Sequence, residues 1–240
     1  MKTLGIIGGL GPMATAYFLE LLTGMTDVVC DQEHIPLVLQ NIPQTPDRTA
    51  YILDHQEQNP LMSIVAAGKN LKQLGAQYIV IPCVTAHYFY QKLCQEIELP
   101  ILSLIETTTE YFMEKGIKRI ALLATSGTIT SGILQQSLNH KGICTILPND
   151  KQQQIIMRII YEQVKAGKTI AIEDFEQIGD ELRRQGAEKL LLGCTELSLI
   201  KRDFQLNGDY VDVLEILAAA AISYNGLQVK EYHRQIQEIK

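Results

Sequence analysis

The sequence predicts an α/β protein of two pseudo-symmetric lobes, each a parallel sheet flanked by helices, with a cleft between them. Three observations carry that expectation. Short apolar runs alternate with amphipathic stretches along the chain, the pattern of parallel strands joined by crossover helices. A segment near residue 80 returns near residue 190 at a constant offset of 111 positions, so that Gly75 matches Gly186, Ala76 matches Ala187 and Cys83 matches Cys194. A chain of 240 residues that is 46% hydrophobic can also fill cores of this size.

Taken in order, LGIIGGLGP (Leu4 to Pro12) is an apolar strand running into a small-residue turn that opens a helix, and IALLATSGT (Ile120 to Thr128) repeats it. The next strands are IPLVLQN (Ile35 to Asn41) and GICTILPN (Gly142 to Asn149). Thr45, Pro46 and Asp47 form an N-cap signature with proline at the first helical position, which places Arg48 in the first turn. The amphipathic stretches AAGKNLKQL and IGDELRRQ end at Gly75 and Gly186, residues suited to a left-handed C-cap. LGAQYIVIPCVT (Leu74 to Thr85) and QGAEKLLLGCTE (Gln185 to Glu196) then give a buried strand with a cysteine at its mouth. After each cysteine come a helix and another apolar strand with an acid near its end, LPILSLIE reaching Glu106 and GDYVDVLE reaching Asp212 and Glu215. KEYHRQIQEIK closes the chain as a charged, exposed helical extension.

Open α/β sheets bind ligands at the carboxyl ends of their strands. If both lobes bring those ends to one cleft, Cys83 and Cys194 face each other across it. A single buried thiol is ordinarily packing, but a pair at equivalent repeat positions points to chemistry. Two acid/base groups on opposite faces of one carbon suit removal of a proton from one face and its return to the other, which is racemisation. Each cysteine precedes a predicted helix N-terminus, whose free N–H groups favour a thiolate and can hold a carboxylate. Thr85 and Thr195 add hydroxyls beside them.

Together GGLGP, PDRTAYIL, PCVTAHYFY, LLATSGT and LLGCTEL resemble the cofactor-independent aspartate/glutamate racemase family, most closely its aspartate-racemase branch. The resemblance runs from Leu4 to about Ala220. It implies interconversion of L- and D-aspartate, or glutamate, by catalytic Cys83 and Cys194, without cofactor or metal, in a homodimer. It assigns Arg48 and Lys165 to the substrate's distal carboxylate, and Gly11, Thr85, Thr125, Thr128, Thr195 and Glu196 to substrate binding. It also implies that the closing segment returns to the first lobe, giving lobes of residues 1–99 with 208–240, and 100–207. For Arg48 the plain alternative is an ion pair with Asp47 or Glu57. For Lys165 it is a solvated charge at a helix end before Gly167. Glu196 either orients a thiol or a water, or caps its helix. His87, one turn past Cys83, reads as a hydrogen-bonded core histidine rather than a base.

The chain departs from the family pattern at Val84, where an asparagine is expected between cysteine and threonine. That departure leaves open a glutamate-preferring or broad-specificity racemase, a related isomerase, or an amino-acid-binding relative with impaired turnover. GLGPMA, with Gly9, Gly11 and Ala14, also fits the dinucleotide fingerprint. The acid required at the end of the second strand is missing, because IPLVLQN ends in Gln40 and Asn41. Five scattered cysteines without zinc spacing argue against both a structural metal and a disulfide framework. A formal charge of -6 with no basic run gives no footprint for nucleic acid or an anionic membrane. The apolar start is broken at Gly8 and Gly9, too early for a signal or spanning segment, so a cytoplasmic location is expected.

Overall fold

The computed structural model describes residues 1–230, so the expected C-terminal extension lies almost wholly outside the described residues. The first sheet consists of β1 (Leu4–Gly8), β2 (Leu37–Asn41) and β3 (Tyr78–Val80) in the order β2-β1-β3, all parallel. β1 is buried at every residue, as a central parallel strand must be, whereas β2 alternates as an edge does. Helices α1 (Pro12–Met25), α2 (Arg48–Leu53), α3 (Leu61–Gln73), α4 (Tyr90–Ile97) and α5 (Leu104–Glu114) accompany it. The second sheet contains β4 (Arg119–Leu123), β5 (Cys144–Ile146), β6 (Lys189–Leu192) and β7 (Tyr210–Asp212), ordered β5-β4-β6-β7 and again parallel. Around it lie α6 (Ser126–Ser131), α7 (Ile133–His140), α8 (Asp150–Arg158), α9 (Ile172–Arg184), α10 (Thr195–Phe204) and α11 (Val213–Tyr224).

The repeat is visible in backbone geometry. α3 and α9 both end before a left-handed glycine, Gly75 at φ 91° and Gly186 at φ 96°, and each then feeds the strand that leads to a cysteine. Each lobe has its own core: Ile7, Ile64, Leu71, Ile79 and Ile81 in the first, Leu123, Ile160, Phe175, Leu182 and Leu192 in the second. A third cluster joins them behind the cleft, where α11 packs on α1 and α5 and places Leu214, Leu217 and Ala221 among Phe18, Leu22 and Phe112. Each such large side chain contributes roughly 1.5–3 kcal/mol by leaving water, so this shared cluster holds the two lobes as one body.

Two expectations are corrected here. LPILSLIE is not a strand but a single parallel bridge, Ile79 to Ile101, after which Ser103 accepts from the Glu106 N–H and starts α5. Glu106 therefore sits in a helix's first turn, because the serine cap outcompetes strand continuation. The second concerns the return at residue 208. β7 pairs with β6 through Leu190–Tyr210 and Leu192–Asp212, so the chain leaves the second sheet only when α11 begins at Val213.

Candidate active site

Cys83 lies just past β3 and Cys194 just past β6, and both are buried. They line one small space between the lobes with a free volume of about 10 Å³, roughly enough for a single water. Arg48 and Val84 to Thr85 bound it from the first lobe; Thr125, Thr128, Lys165, Thr195 and Glu196 bound it from the second. Gly11 is the one expected site residue outside this lining. It borders an adjoining open pocket of about 420 Å³, which shares Asp47, Arg48, Lys165 and Glu196 with the cysteine space. A Cβ at Gly11 would overlap Glu196 Oε1, so this glycine makes room for that carboxylate. A carboxylate over the β1–α1 turn also opposes a pyrophosphate there.

The two thiols have different surroundings. Cys194 is the N-cap of α10, and its Sγ donates to Glu196 Oε2 at 3.0 Å. Burial, and then the negative charge of Glu196, push the Cys194 thiol well above its ordinary range. Glu196 is the acid in the first turn of α10 and at the same time accepts from the Cys194 thiol, so one carboxylate occupies both expected positions. Cys83 instead contacts Thr85 Oγ1 at 3.3 Å and lies beside the Arg48 guanidinium. The expected α-helix behind it is a 3-10 turn over Thr85–Phe89 that passes into α4 only at Tyr90. An α-helix N-terminus therefore directly follows Cys194 but not Cys83.

Arg48 occupies the first position of α2, and its N-cap is Asp47, whose Oδ1 accepts from the Ala50 N–H at 2.8 Å. Pro46 thus precedes the cap instead of following it, because Thr45 turns its hydroxyl back to Ile42 O. No carboxylate is needed to keep Arg48 inside: its guanidinium donates to the carbonyls of Thr45, Pro46 and Leu10. Burial opposes the charge, but Cys83, Asp47 and Glu196 outweigh it and hold Arg48 firmly protonated. Its Nε remains buried without a hydrogen-bond partner among the described residues. That donor is free for a ligand.

Lys165 is not the solvated helix-end charge of the plain reading. Its side chain is 27% exposed and its Nζ lies 3.6 Å from Glu196 Oε1 and 3.8 Å from Asp47 Oδ2. Both distances exceed a good hydrogen bond, so the ammonium keeps donors to offer. Burial would discharge it, yet Glu196, Cys194 and Asp47 keep its affinity for a proton raised. Tyr161 and Thr49 also belong to this site and were not anticipated. Tyr161 belongs to a π-helical segment, Ile159–Val164; its hydroxyl donates to both Asp47 oxygens at 3.1 Å, and its ring lies under Lys165 Nζ. Thr49 donates to Thr125 Oγ1 at 3.1 Å across the lobes, and Thr125 in turn caps α6 over Thr128. The spacing of four between Tyr161 and Lys165 hints at a shared face, but pairing with Asp47 crosses 114 residues. Among the described residues no group of three or more His, Cys, Asp or Glu side chains could hold a metal. No helix among them is long and apolar enough to cross a membrane.

Two parallel-sheet lobes with one cysteine from each at a shared cleft, and with two cations and two acids beside them, define a class of two-lobed α/β proteins. The sequence profile of the Asp/Glu/Hydantoin racemase family matches residues 7–221, and the chain belongs to that family. The structure is similar to the aspartate racemase of Picrophilus torridus, with a TM-score of 0.86 and 33% identity, covering 99% of this chain and 100% of the other. An aspartate racemase homologue from Pyrococcus horikoshii aligns with a TM-score of 0.76 at 25% identity, over 94% of this chain and all of that one. In sequence the chain is 26% identical to the broad specificity amino-acid racemase RacX of Bacillus subtilis, over 92% of this chain and 96% of the relative.

Proposed function

We propose that this racemase inverts the α-carbon of aspartate or glutamate by two-base proton transfer between Cys83 and Cys194. The observation that carries the reading is that cysteines from equivalent repeat positions border one cavity with opposite electrostatic partners, Arg48 beside Cys83 and Glu196 beside Cys194. Such a pair starts with one base and one acid. Cys194, bonded to Glu196, is the acid of the pair, which leaves the base's role to Cys83 beside the Arg48 guanidinium. The thiolate takes the α-proton from one face of the substrate, the bonding pair stays on the α-carbon and its carboxylate, and the Cys194 thiol delivers a proton to the other face. The protonation states are then exchanged, which readies the site for the opposite enantiomer. Arg48 Nε and Lys165 Nζ, the unsatisfied donors at the rim, receive the substrate's distal carboxylate. The threonine hydroxyls at 85, 125, 128 and 195 and the first N–H groups of α10 complete the polar lining.

The test is incubation of the protein with each enantiomer of both amino acids in deuterium oxide, following α-proton exchange and optical rotation separately. Cys83→Ser and Cys194→Ser should each reduce net inversion by about three orders of magnitude or more, as loss of a positioned acid/base group does. Near wild-type inversion by either variant would sink the two-base assignment. A broader range of substrates is the second reading. Val84, 2% exposed at the wall beside Cys83, favours it, as does the likeness to a relative named for broad specificity. The same reading includes a cofactor-independent reaction in a cytoplasmic homodimer; light scattering on purified protein measures the assembly, and full activity after dialysis against chelator measures the independence.

A further inference from the structure

His87 is buried, and the mechanism above does not use it. Its ring spans two backbone segments. Leu104 N–H donates to Nε2 at 3.1 Å, so the neutral ring carries its proton on Nδ1, which donates to Cys83 O at 2.9 Å. Cys83 lies beyond the end of β3, outside the sheet ladder, and its carbonyl precedes a 3-10 turn rather than a regular helix. The imidazole thus ties the Cys83 main chain to the first residue of α5.

The same position in the other lobe is Ser198, again four residues past a cysteine. Ser198 Oγ donates to Asp212 Oδ1 at 2.5 Å, and that oxygen also accepts from Leu214 N–H at 2.8 Å, capping α11. α11 follows the second cysteine as α5 follows the first. His87 links the Cys83 carbonyl to the first residue of α5, while Ser198, 111 positions on and one turn into the helix that Cys194 caps, links α10 to the N-cap of α11. Both side chains satisfy main-chain groups that an apolar residue would leave unpaired: His87 serves Cys83 O and Leu104 N–H, and Asp212 serves Leu214 N–H.

We propose that His87 is a positioning residue for Cys83, and the Ser198–Asp212 pair its counterpart for Cys194, each strut fixing one thiol against one face of the substrate. A carbon acid between two bases is sensitive to sub-ångström placement, and a shift of about 1 Å can cost on the order of 100-fold in rate. Each strut acts on its own lobe, so its loss falls on one enantiomer.

The inference rests on the racemase reading for one of its two readouts and is independent of it for the other. α-Proton exchange in deuterium oxide is measured for both enantiomers of aspartate and glutamate in wild type, His87→Ala, His87→Gln and Ser198→Ala, with the cysteine variants assigning each enantiomer to its thiol. His87→Ala should slow exchange of the enantiomer served by Cys83 by roughly 10- to 100-fold and leave the other within about threefold. Ser198→Ala should do the reverse. His87→Gln retains a donor and an acceptor and should recover most of the lost rate. Equal slowing of both enantiomers in His87→Ala, in step with a lowered Tm, would show a packing histidine and overturn the proposal. Independently, iodoacetamide labelling of substrate-free protein, resolved by mass spectrometry, should change the Cys83-to-Cys194 rate ratio in opposite directions in His87→Ala and Ser198→Ala. An unchanged ratio overturns the strut even where folding is intact. If wild type exchanges neither enantiomer of either amino acid, the substrate reading fails and the labelling ratio alone decides this one.

Discussion

At the scale of single residues, the site separates groups that bind from groups that both bind and brace. Arg48 spends its terminal nitrogens on three carbonyls of the 42–48 turn and the β1–α1 turn, leaving Nε without a partner among the described residues. Lys165 Nζ is held more loosely, by two long ion pairs and the Tyr161 ring. Arg48→Ala should therefore raise the KM for aspartate or glutamate at least tenfold and also lower stability by about 2–4 kcal/mol, because buried carbonyls lose their donor. Lys165→Ala should raise KM comparably with a smaller loss of unfolding free energy, about 1 kcal/mol, from the long ion pairs and the Tyr161 ring. Chemical denaturation beside steady-state kinetics checks the split; matching stability losses in both variants would remove it. Val84 poses a different question, since it packs in the shared apolar cluster while bordering the thiol space. An amide there, Val84→Asn, should cost about 1–3 kcal/mol where it meets only hydrocarbon. Where it reaches a developing carbanion it should raise kcat on acidic substrates, a single donor being worth up to roughly 100-fold. A stability loss without any gain across acidic and neutral amino acids would mean that the side chain faces the core.

Among elements, the segments following the cysteines show where local sequence stops being informative. The strands, the glycine-ended helices and the cysteine pair were legible because each rests on spacing within about a dozen residues, from Leu74 to Thr85 and from Gln185 to Glu196. The sheet membership of β7 was not, since GDYVDVLE reads as a strand in either lobe and only pairing with β6 assigns it. Nor was the Asp47–Tyr161 bond, which joins an N-cap of one lobe to a π-helical turn of the other. His87 was legible as a satisfied histidine, but not its partner at Leu104, because the cap at Ser103 starts α5 earlier than the apolar run suggests. That burial has a measurable consequence: it pulls the His87 imidazole from its ordinary value down to about 4. The unfolded chain, with the ordinary histidine pKa near 6.5, then binds a proton that the native state refuses. This contribution to stability is complete above about pH 6.5 and is lost as pH falls toward 4. Between pH 7 and 4, wild type should lose about 3 kcal/mol more unfolding free energy than His87→Gln. Urea titrations of both proteins at the two pH values give the difference, and parallel losses would mean that the ring is protonated in the native state.

For the whole molecule, the free space between the thiols decides how the reaction must begin. About 10 Å³ holds one water and no amino acid, whereas the neighbouring pocket of about 420 Å³ is open and lined in part by the same Arg48, Lys165, Asp47 and Glu196. On the proposed reading, an amino acid needs more room beside the cysteines than this, and parting of the lobes is the expected way to provide it. The contacts that must give way include the polar pairs Thr49 to Thr125, Tyr161 to Asp47 and Lys165 to Asp47, together with the packing of α2 on α6. The apolar cluster around α1, α5 and α11 can stay packed as the hinge side. α2 and α6 meet at Gly127, where an added Cβ would stand 2.8 Å from the Thr49 main-chain Cα. Backbone cannot swing aside as a flexible side-chain tip can, so Gly127→Ala should hold the lobes apart without entering either core. The expected result is iodoacetamide labelling of Cys83 and Cys194 that rises about tenfold or more and a racemisation rate that falls by a similar factor. Tm should stay within about 3 °C, the shift that roughly 1 kcal/mol produces in a chain of this size. Slower labelling, or activity equal to wild type, would mean that the lobes close by another route and that the α2–α6 contact does not govern access to the thiols.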